Sequence, residues 1–228
     1  MADMKTSSIG DGLDVVARQL REARDRYVKR LAVYRLAGYD RPAAVRFVVD
    51  QAEGFSGPIL DVGSGQGMLA MEFARRGFEV VSVDVNPEEQ LTAILNAQLE
   101  GLPGRITFMA TDARRVPFRD GAFAAAAAMD ALHHLAEGPL VFAEMVRVVR
   151  PSGRILLAEF DRRGLEIVAR VHRSEGRDHP VGPVTFADAV AWFVASGLNL
   201  ELRREGSFHS IAVFSKPQER VGAPHAAS

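Results

Sequence analysis

The sequence predicts an α/β protein built on a doubly wound, largely parallel sheet, and three observations predict it. From about residue 59 onward, short apolar runs alternate with amphipathic stretches, the pattern of strand–helix–strand units. One such unit, Pro58 to Gly67, carries glycines at alternate positions between an apolar run and a helical one. The last two apolar runs, 198–205 and 210–215, are joined through Gly206 with no helix between them, so the chain closes on a hairpin and its last strand runs antiparallel.

In chain order, Leu13, Val16, Leu20, Tyr27, Leu31 and Tyr34 fall close to one face of an arginine-dense helix ended by Gly38, and a second helix spans Pro42 to Glu53. Ile59, Leu60 and Val62 fit a buried strand. Beyond the glycines, Leu69, Ala70, Phe73 and Ala74 recur at helical spacing up to Arg75-Arg76-Gly77. A strand over 79–85 follows, then a helix opened by Asn86 and Pro87, as N-cap and first-turn proline. Ile106 to Ala110 is a third strand. Ala122 to Ala128, all apolar, suits a central strand buried on both faces, although alanine is a poor strand former. Leu140 to Val149 is an amphipathic helix, stopped by Arg150-Pro151-Ser152-Gly153 before a fifth strand, Arg154 to Phe160. Helix gives way to a loop near Gly176, and Thr185-x-x-Asp188 forms a capping box for a helix through Trp192 and Phe193 to Gly197.

The glycine loop is the most informative stretch. Gly63, Gly65 and Gly67 admit positive φ and let a ligand approach the backbone with no Cβ in the way, while the helix that follows offers N–H groups. A dinucleotide fingerprint, G-x-G-x-x-G/A, fails in register, because its sixth position is Met68. Asp61 just before the loop would repel a pyrophosphate and suits a cationic ligand. Asp84 ends the second strand roughly twenty residues on, where a carboxylate can accept both hydroxyls of a ribose; the bland alternative is a surface aspartate.

The pattern acidic-x-G-x-G-x-G over Asp61–Gly67, with Asp84, the run Asp112 to Phe123 and the phrase Val148 to Glu159, resembles the class I S-adenosylmethionine-dependent methyltransferases, in the branch that includes quinone-biosynthesis and small-molecule enzymes. The resemblance covers roughly Ile59 to Phe214 and implies a Rossmann-like seven-stranded sheet. It implies S-adenosyl-L-methionine as cofactor, with its methionine end and ribose at Gly63, Ser64, Gly65 and Gly67, Asp61 organising the loop beside the ammonium group, Asp84 and Val85 at the ribose, and Asp112 and Ala113 at the adenine. It makes Met129 and Asp130 neighbours of cofactor or acceptor.

Met129 to Leu135 lies at the carboxyl end of the fourth strand, where open α/β sheets place their chemistry. His133 or His134, with an ordinary pKa of about 6.5, suits proton abstraction; each is equally read as a packing or solvated residue. Glu159 and Asp161, at the end of the fifth strand, are candidate bases or substrate anchors. Tyr34, with Tyr27, Arg35 and Tyr39, is a lid candidate by resemblance, and otherwise a packing residue. In the stretch 162–183, His172 and His179 with Glu175 and Asp178 are open to three readings: acceptor contact, metal ligands, or ordinary surface loop. No ligand spacing singles out a metal, so none is assigned. His209 is open to two readings, a residue that looks into the pocket or a plain turn residue, and the turn is preferred.

Composition sets outer limits. The 228 residues carry a formal net charge of −1, which offers no general attraction to nucleic acid, and no cysteine, which removes thiolate metal sites and covalent cysteine catalysis. The longest apolar run, Ala122 to Met129, is too short to span a bilayer. A cytoplasmic protein is expected, with oligomeric state open. The expected organisation is an N-terminal helical lid over 1–54, the methyltransferase domain over 55–216 with an acceptor-side insertion at 162–184, and a disordered tail over 217–228. The expected function is methyl transfer to a small-molecule acceptor. The absence of an Asn/Asp-Pro-Pro-Tyr/Phe motif after the fourth strand disfavours transfer to adenine or glutamine amide nitrogen. A non-catalytic cofactor-binding module is the alternative reading, and a nicotinamide oxidoreductase the third.

Overall fold

The computed structural model describes residues 4–102, 104–178 and 180–218. Two helices, α1 (Met4–Leu36) and α2 (Arg41–Val49), precede the alternating units β1 (Ile59–Val62), α3 (Met68–Arg75), β2 (Val80–Asp84), α4 (Pro87–Leu99), β3 (Ile106–Ala110), β4 (Phe123–Met129), α5 (Gly138–Val148), β5 (Val149–Phe160), α6 (Arg162–Ser174) and α7 (Phe186–Ala195); β6 (Asn199–Gly206) and β7 (His209–Ser215) close the chain. The seven strands form one sheet in the order β3-β2-β1-β4-β5-β7-β6. Every pairing is parallel except those of β7, which runs antiparallel to both β5 and β6. The chain reverses between β1 and β4, and strand ends on either side of that point open a crevice.

The central position of β4 explains its alanines. It pairs with β1 and β5, and its side chains alternate between two cores. Ala126 and Ala128 face Phe142 and Phe193 from α5 and α7; Ala125 and Ala127 face Val45 and Val48 of α2 and Leu69 and Phe73 of α3. Small side chains let large ones on the flanking helices approach the sheet. A third cluster, Tyr34, Tyr39, Ala44, Phe160, Val168 and Val171, joins the N-terminal helices to α6.

Helix starts are set by side chains. Asp40, Asn86 and Asp161 cap α2, α4 and α6 by accepting from Ala43, Glu88 and Gly164 N–H groups, and the Thr185–Asp188 capping box opens α7. The structure differs from the sequence reading at two boundaries. β5 begins at Val149 rather than Arg154: Arg150 to Gly153 form a bulge inside the strand, with a register shift opposite Phe123 and Ala125. Ser152 takes φ +61 there, a left-handed conformation that costs a non-glycine residue roughly 1–2 kcal/mol. The second helix ends at Val49 rather than Glu53. Lys216 Nζ donates to the Val146 and Val149 carbonyls at 2.8 and 2.7 Å and so closes the end of α5. Residues 219–228 lie outside the described ones. Among the described residues no helix is long and apolar enough to cross a membrane.

Candidate functional site

The glycine loop turns the end of β1 into α3. Gly63 and Gly67 take φ +84 and +79; a Cβ on Gly63 would stand 2.8 Å from the Ala131 Cβ, and one on Gly67 would stand 3.0 Å from the Ala93 Cβ. Gly67 thus serves the packing of the loop onto α4 and does not line the cavity above, whereas Gly63, Ser64 and Gly65 do. Beneath the loop runs a buried chain of hydrogen bonds. Ser82 Oγ donates to Asp61 Oδ2 at 2.6 Å, so the 2.5 Å contact between Ser82 and Ser64 has the Ser64 hydroxyl as donor, and Gln90 Nε2 donates to Ser64 Oγ at 3.0 Å. Asp61 is 1% exposed, and its Oδ1 has no hydrogen-bond partner. Burial lifts its carboxyl to about 7; the Ser82 bond opposes that rise and the charge of Asp84 adds to it. Asp61 therefore supports the loop from below and is not on the cavity wall.

Asp84 is. Its Oδ2 accepts from Gly65 N–H at 3.0 Å and its Oδ1 from Asn86 N–H at 2.9 Å, which fixes the carboxylate at the end of β2 and leaves lone pairs on each oxygen for a ligand. Val85, Ala113, Met129 and Asp112 line the same cavity of about 740 Å³, a size typical of ligand sites. Asp112 is not a lone acceptor: both its oxygens are engaged by Arg114, at 2.6–3.0 Å, and Arg114 also pairs with Glu137. Those bonds hold the Asp112 carboxyl below its ordinary range.

The other half of the cavity gathers residues from distant parts of the chain: Arg30, Tyr34, Tyr39, Arg41, Asp130, His133, His134, Phe160, His172 and Arg177. His133 sits in a single turn of 3₁₀ helix, Leu132–His134, and is 2% exposed. Its Nδ1 lies 2.8 Å from Glu159 Oε1, and Glu159 also accepts from the backbone N–H groups of His133 and Phe160. Glu159 is 4% exposed and stands behind His133, away from the cavity wall. Its expected part as a base or anchor is corrected to one of orientation, because three N–H groups already occupy its oxygens. Asp161 is likewise corrected: it caps α6 through Gly164 N–H at 2.7 Å and does not line the cavity. Burial, and the neighbouring His133 ring at 4.0 Å, lower the pKa of His134, so its ring is neutral near pH 7.

Asp130 takes φ +55 at the end of β4, a left-handed conformation rare outside glycine and asparagine, and is held there by His209 Nε2 at 2.9 Å. His209 is no turn residue. It is fully buried in β7, and its Nδ1 donates to the Ser207 carbonyl at 2.7 Å; with a carboxylate at Nε2 as well, both ring nitrogens carry protons. Burial depresses its pKa, but Asp130 and the Ser207 carbonyl outweigh burial and the net shift is upward. Tyr34 and His172 line the cavity, while His179 lies outside the described residues. Among the described residues no group of three or more His, Cys, Asp or Glu is placed to hold a metal. The sequence reading missed Arg30, Arg41, Arg114, Glu137 and His209, whose partners are not local; only Arg114, two residues from Asp112, left a readable signal.

Residues 60–157 match the family described as a methyltransferase domain. A methyltransferase, GfsG, of Streptomyces halstedii is 35% identical over 46% of this chain and 38% of its own length. A ubiquinone biosynthesis O-methyltransferase of Xanthomonas axonopodis pv. citri is 25% identical over 70% of each chain. The chain thus spans well under half of the first relative and about two thirds of the second. Among solved structures, the PH0226 protein of Pyrococcus horikoshii OT3 superposes with a TM-score of 0.66 over 77% of this chain and 90% of that one, at 19% identity, a likeness of fold.

Proposed function

We propose that this chain, which carries a class I S-adenosylmethionine-dependent methyltransferase domain, transfers a methyl group from that cofactor to a small-molecule acceptor held between the glycine loop and helices α1 and α6. One observation carries the reading: a single cavity of about 740 Å³ is lined both by the loop and Asp84 and by an imidazole pair, His133 and His134. The residues fit the cofactor. Gly65 has open space where a Cβ would stand, and the Asp84 carboxylate is fixed with spare lone pairs beside it. Bound S-adenosylmethionine supplies an activated methyl on a cationic sulfur, whose charge suits the Asp84 carboxylate beside the loop.

This chain's residues then have three tasks. The loop and the strand ends hold the cofactor, and α1 with α2 serves as a lid that excludes water; positioning of this kind is worth effective molarities on the order of 10⁵–10⁸ M in model reactions. His133 takes a proton from the acceptor atom. Because Glu159 accepts from Nδ1, the neutral ring keeps its proton there and Nε2 is the basic nitrogen. His134, neutral near pH 7, is the second candidate for that role. Glu159 is a positioning residue.

Isothermal titration with S-adenosylmethionine, S-adenosylhomocysteine and NAD tests the premise, followed by transfer of a labelled methyl across a panel of small acceptors. Micromolar binding of the adenosyl ligands alone, with label moving to an acceptor, is expected. Failure of both adenosyl ligands to bind overturns the reading; binding without transfer to any acceptor favours a non-catalytic cofactor-binding module.

A further inference from the structure

One side of the cavity gathers positive charge. Arg30 from α1, Arg41 from the start of α2 and Arg177 beyond α6 all line it, around Tyr34 and His172. Arg30 Nη2 lies 3.3 Å from His172 Nε2, and the guanidinium carbons of Arg30 and Arg41 stand 5.7 and 4.8 Å from the Tyr34 ring centroid. Two carboxylates answer these three cations. Glu175 pairs with Arg177 and lies 3.7 Å from Arg30 Nη1, and Asp178 is on the wall. Among the described residues, Arg41 has neutral partners, the Gln66 side-chain carbonyl at 3.3 Å and the Tyr34 ring.

Among the described residues, two donors here are buried without an acceptor: Arg30 Nε, and the hydroxyl of Tyr39, which is 1% exposed and lines the cavity. Burial, and then the charge of Asp130, raise the Tyr39 pKa well above its ordinary value, so the phenol keeps its proton. The positive field is felt by His172, whose pKa is pushed down to about 4 by burial and then by Arg177 and Arg30, with Arg41 adding to the effect. A buried donor left unmatched and cations left without counter-charge are unfavourable unless a ligand completes them. A guanidinium fork is shaped for the paired oxygens of a carboxylate or phosphate.

We propose that the methyl acceptor is an anion: a small molecule whose oxyanion group, carboxylate or phosphate ester, is bound by Arg30 and Arg41 with help from the Tyr39 hydroxyl, leaving its acceptor atom toward His133 and His134. This rests on the methyltransferase reading, and the test separates the two. The protein saturated with S-adenosylhomocysteine is titrated calorimetrically with benzoate, phenyl phosphate and neutral benzamide. Saturable one-to-one binding of benzoate or phenyl phosphate, weakened by added salt and absent for benzamide, is expected, and the tighter of the two anions identifies the oxyanion. Arg30→Gln and Arg41→Gln should each weaken that binding at least about tenfold, with an unchanged thermal denaturation midpoint in both variants and unchanged S-adenosylhomocysteine affinity in Arg30→Gln as proof of an intact fold. Benzamide binding as tightly as benzoate, no anion binding to the wild-type complex, or anion affinity unaltered in both variants overturns the proposal. Failure of S-adenosylhomocysteine to bind overturns the methyltransferase reading instead.

Discussion

The two halves of the cavity are built on different principles. In the cofactor half, each side chain sits at the end of a strand or on the loop that leaves it, so the backbone places it: Asp84 ends β2 and is clamped by the N–H groups of Asn86, two residues on, and of Gly65, on the loop that leaves the neighbouring strand β1. In the acceptor half, geometry comes from contacts between elements far apart in sequence. His209 meets Asp130 across 79 residues and Arg30 meets His172 across 142. The contrast teaches that the sheet dictates where the cofactor lies, while the packing of α1, α2 and α6 onto it dictates what the cofactor is offered. If so, variants in the first half change cofactor affinity, and variants in the second change turnover or stability and leave that affinity alone.

The largest effect is expected at Asp84. Asp84→Ala removes the ribose acceptor and the bond that orders Gly65, so affinity for S-adenosylhomocysteine should fall on the order of 10²–10³-fold by titration calorimetry, as loss of more than one charge-assisted hydrogen bond implies. Unchanged affinity would remove the ribose assignment. Next comes His133. His133→Ala should lower kcat about 100-fold, in the range of general-base contributions, with cofactor affinity unaltered; an unaltered kcat shifts the role to His134. Glu159→Gln should retain much of the fold contact yet move the pH profile of kcat, because an amide cannot hold the Nδ1 proton as a carboxylate does.

The same contrast explains how much the sequence disclosed. Strand ends and caps are local: the Asp61–Gly67 pattern, Asn86 before Pro87 and the Thr185–Asp188 box each define themselves within a few residues. The sheet order then follows from the right-handed crossover rule. Asp161 shows where locality misleads, since a carboxylate at a strand end is also an N-cap whenever a helix starts at once, as α6 does. His209, Arg30 and Arg41 carried no local pattern at all. Ser207 and Phe208, at φ +49 and +68, form a tight turn without glycine at either central position, so nothing in the sequence marked His209 as the first residue of a buried strand.

Asp61 and His209 offer one titration in each half, and their pH windows differ. Asp61 is protonated in the folded protein up to about 7, against 3.8 ordinarily. Between those values the folded state binds the extra proton, so Asp61 makes stability fall as pH rises from about 4 to 7. Asp61→Asn should abolish that loss and stabilise the unliganded protein at pH 8 by about 2 kcal/mol, below the roughly 4 kcal/mol ceiling that three pKa units allow. A less stable variant at pH 8 would contradict the burial argument.

The smallest effect is the most discriminating. His209 has its pKa raised, so its contribution is present in full below the unfolded value of about 6.5 and is lost as pH climbs through the higher folded value, a window that opens where that of Asp61 closes. The pair lies within the acceptor half, where burial of the imidazolium is offset by Asp130, the Ser207 carbonyl and the charge of Glu159. Asp130→Asn keeps a side chain that tolerates φ +55 but removes the charge. It should therefore cost about 1 kcal/mol at pH 6, progressively less above pH 7, and leave S-adenosylhomocysteine affinity within about twofold, by thermal denaturation and calorimetry. A loss that is equal at all pH values would mean that the contact acts as a neutral hydrogen bond; a fall in cofactor affinity would mean that the two halves of the cavity are coupled through the end of β4.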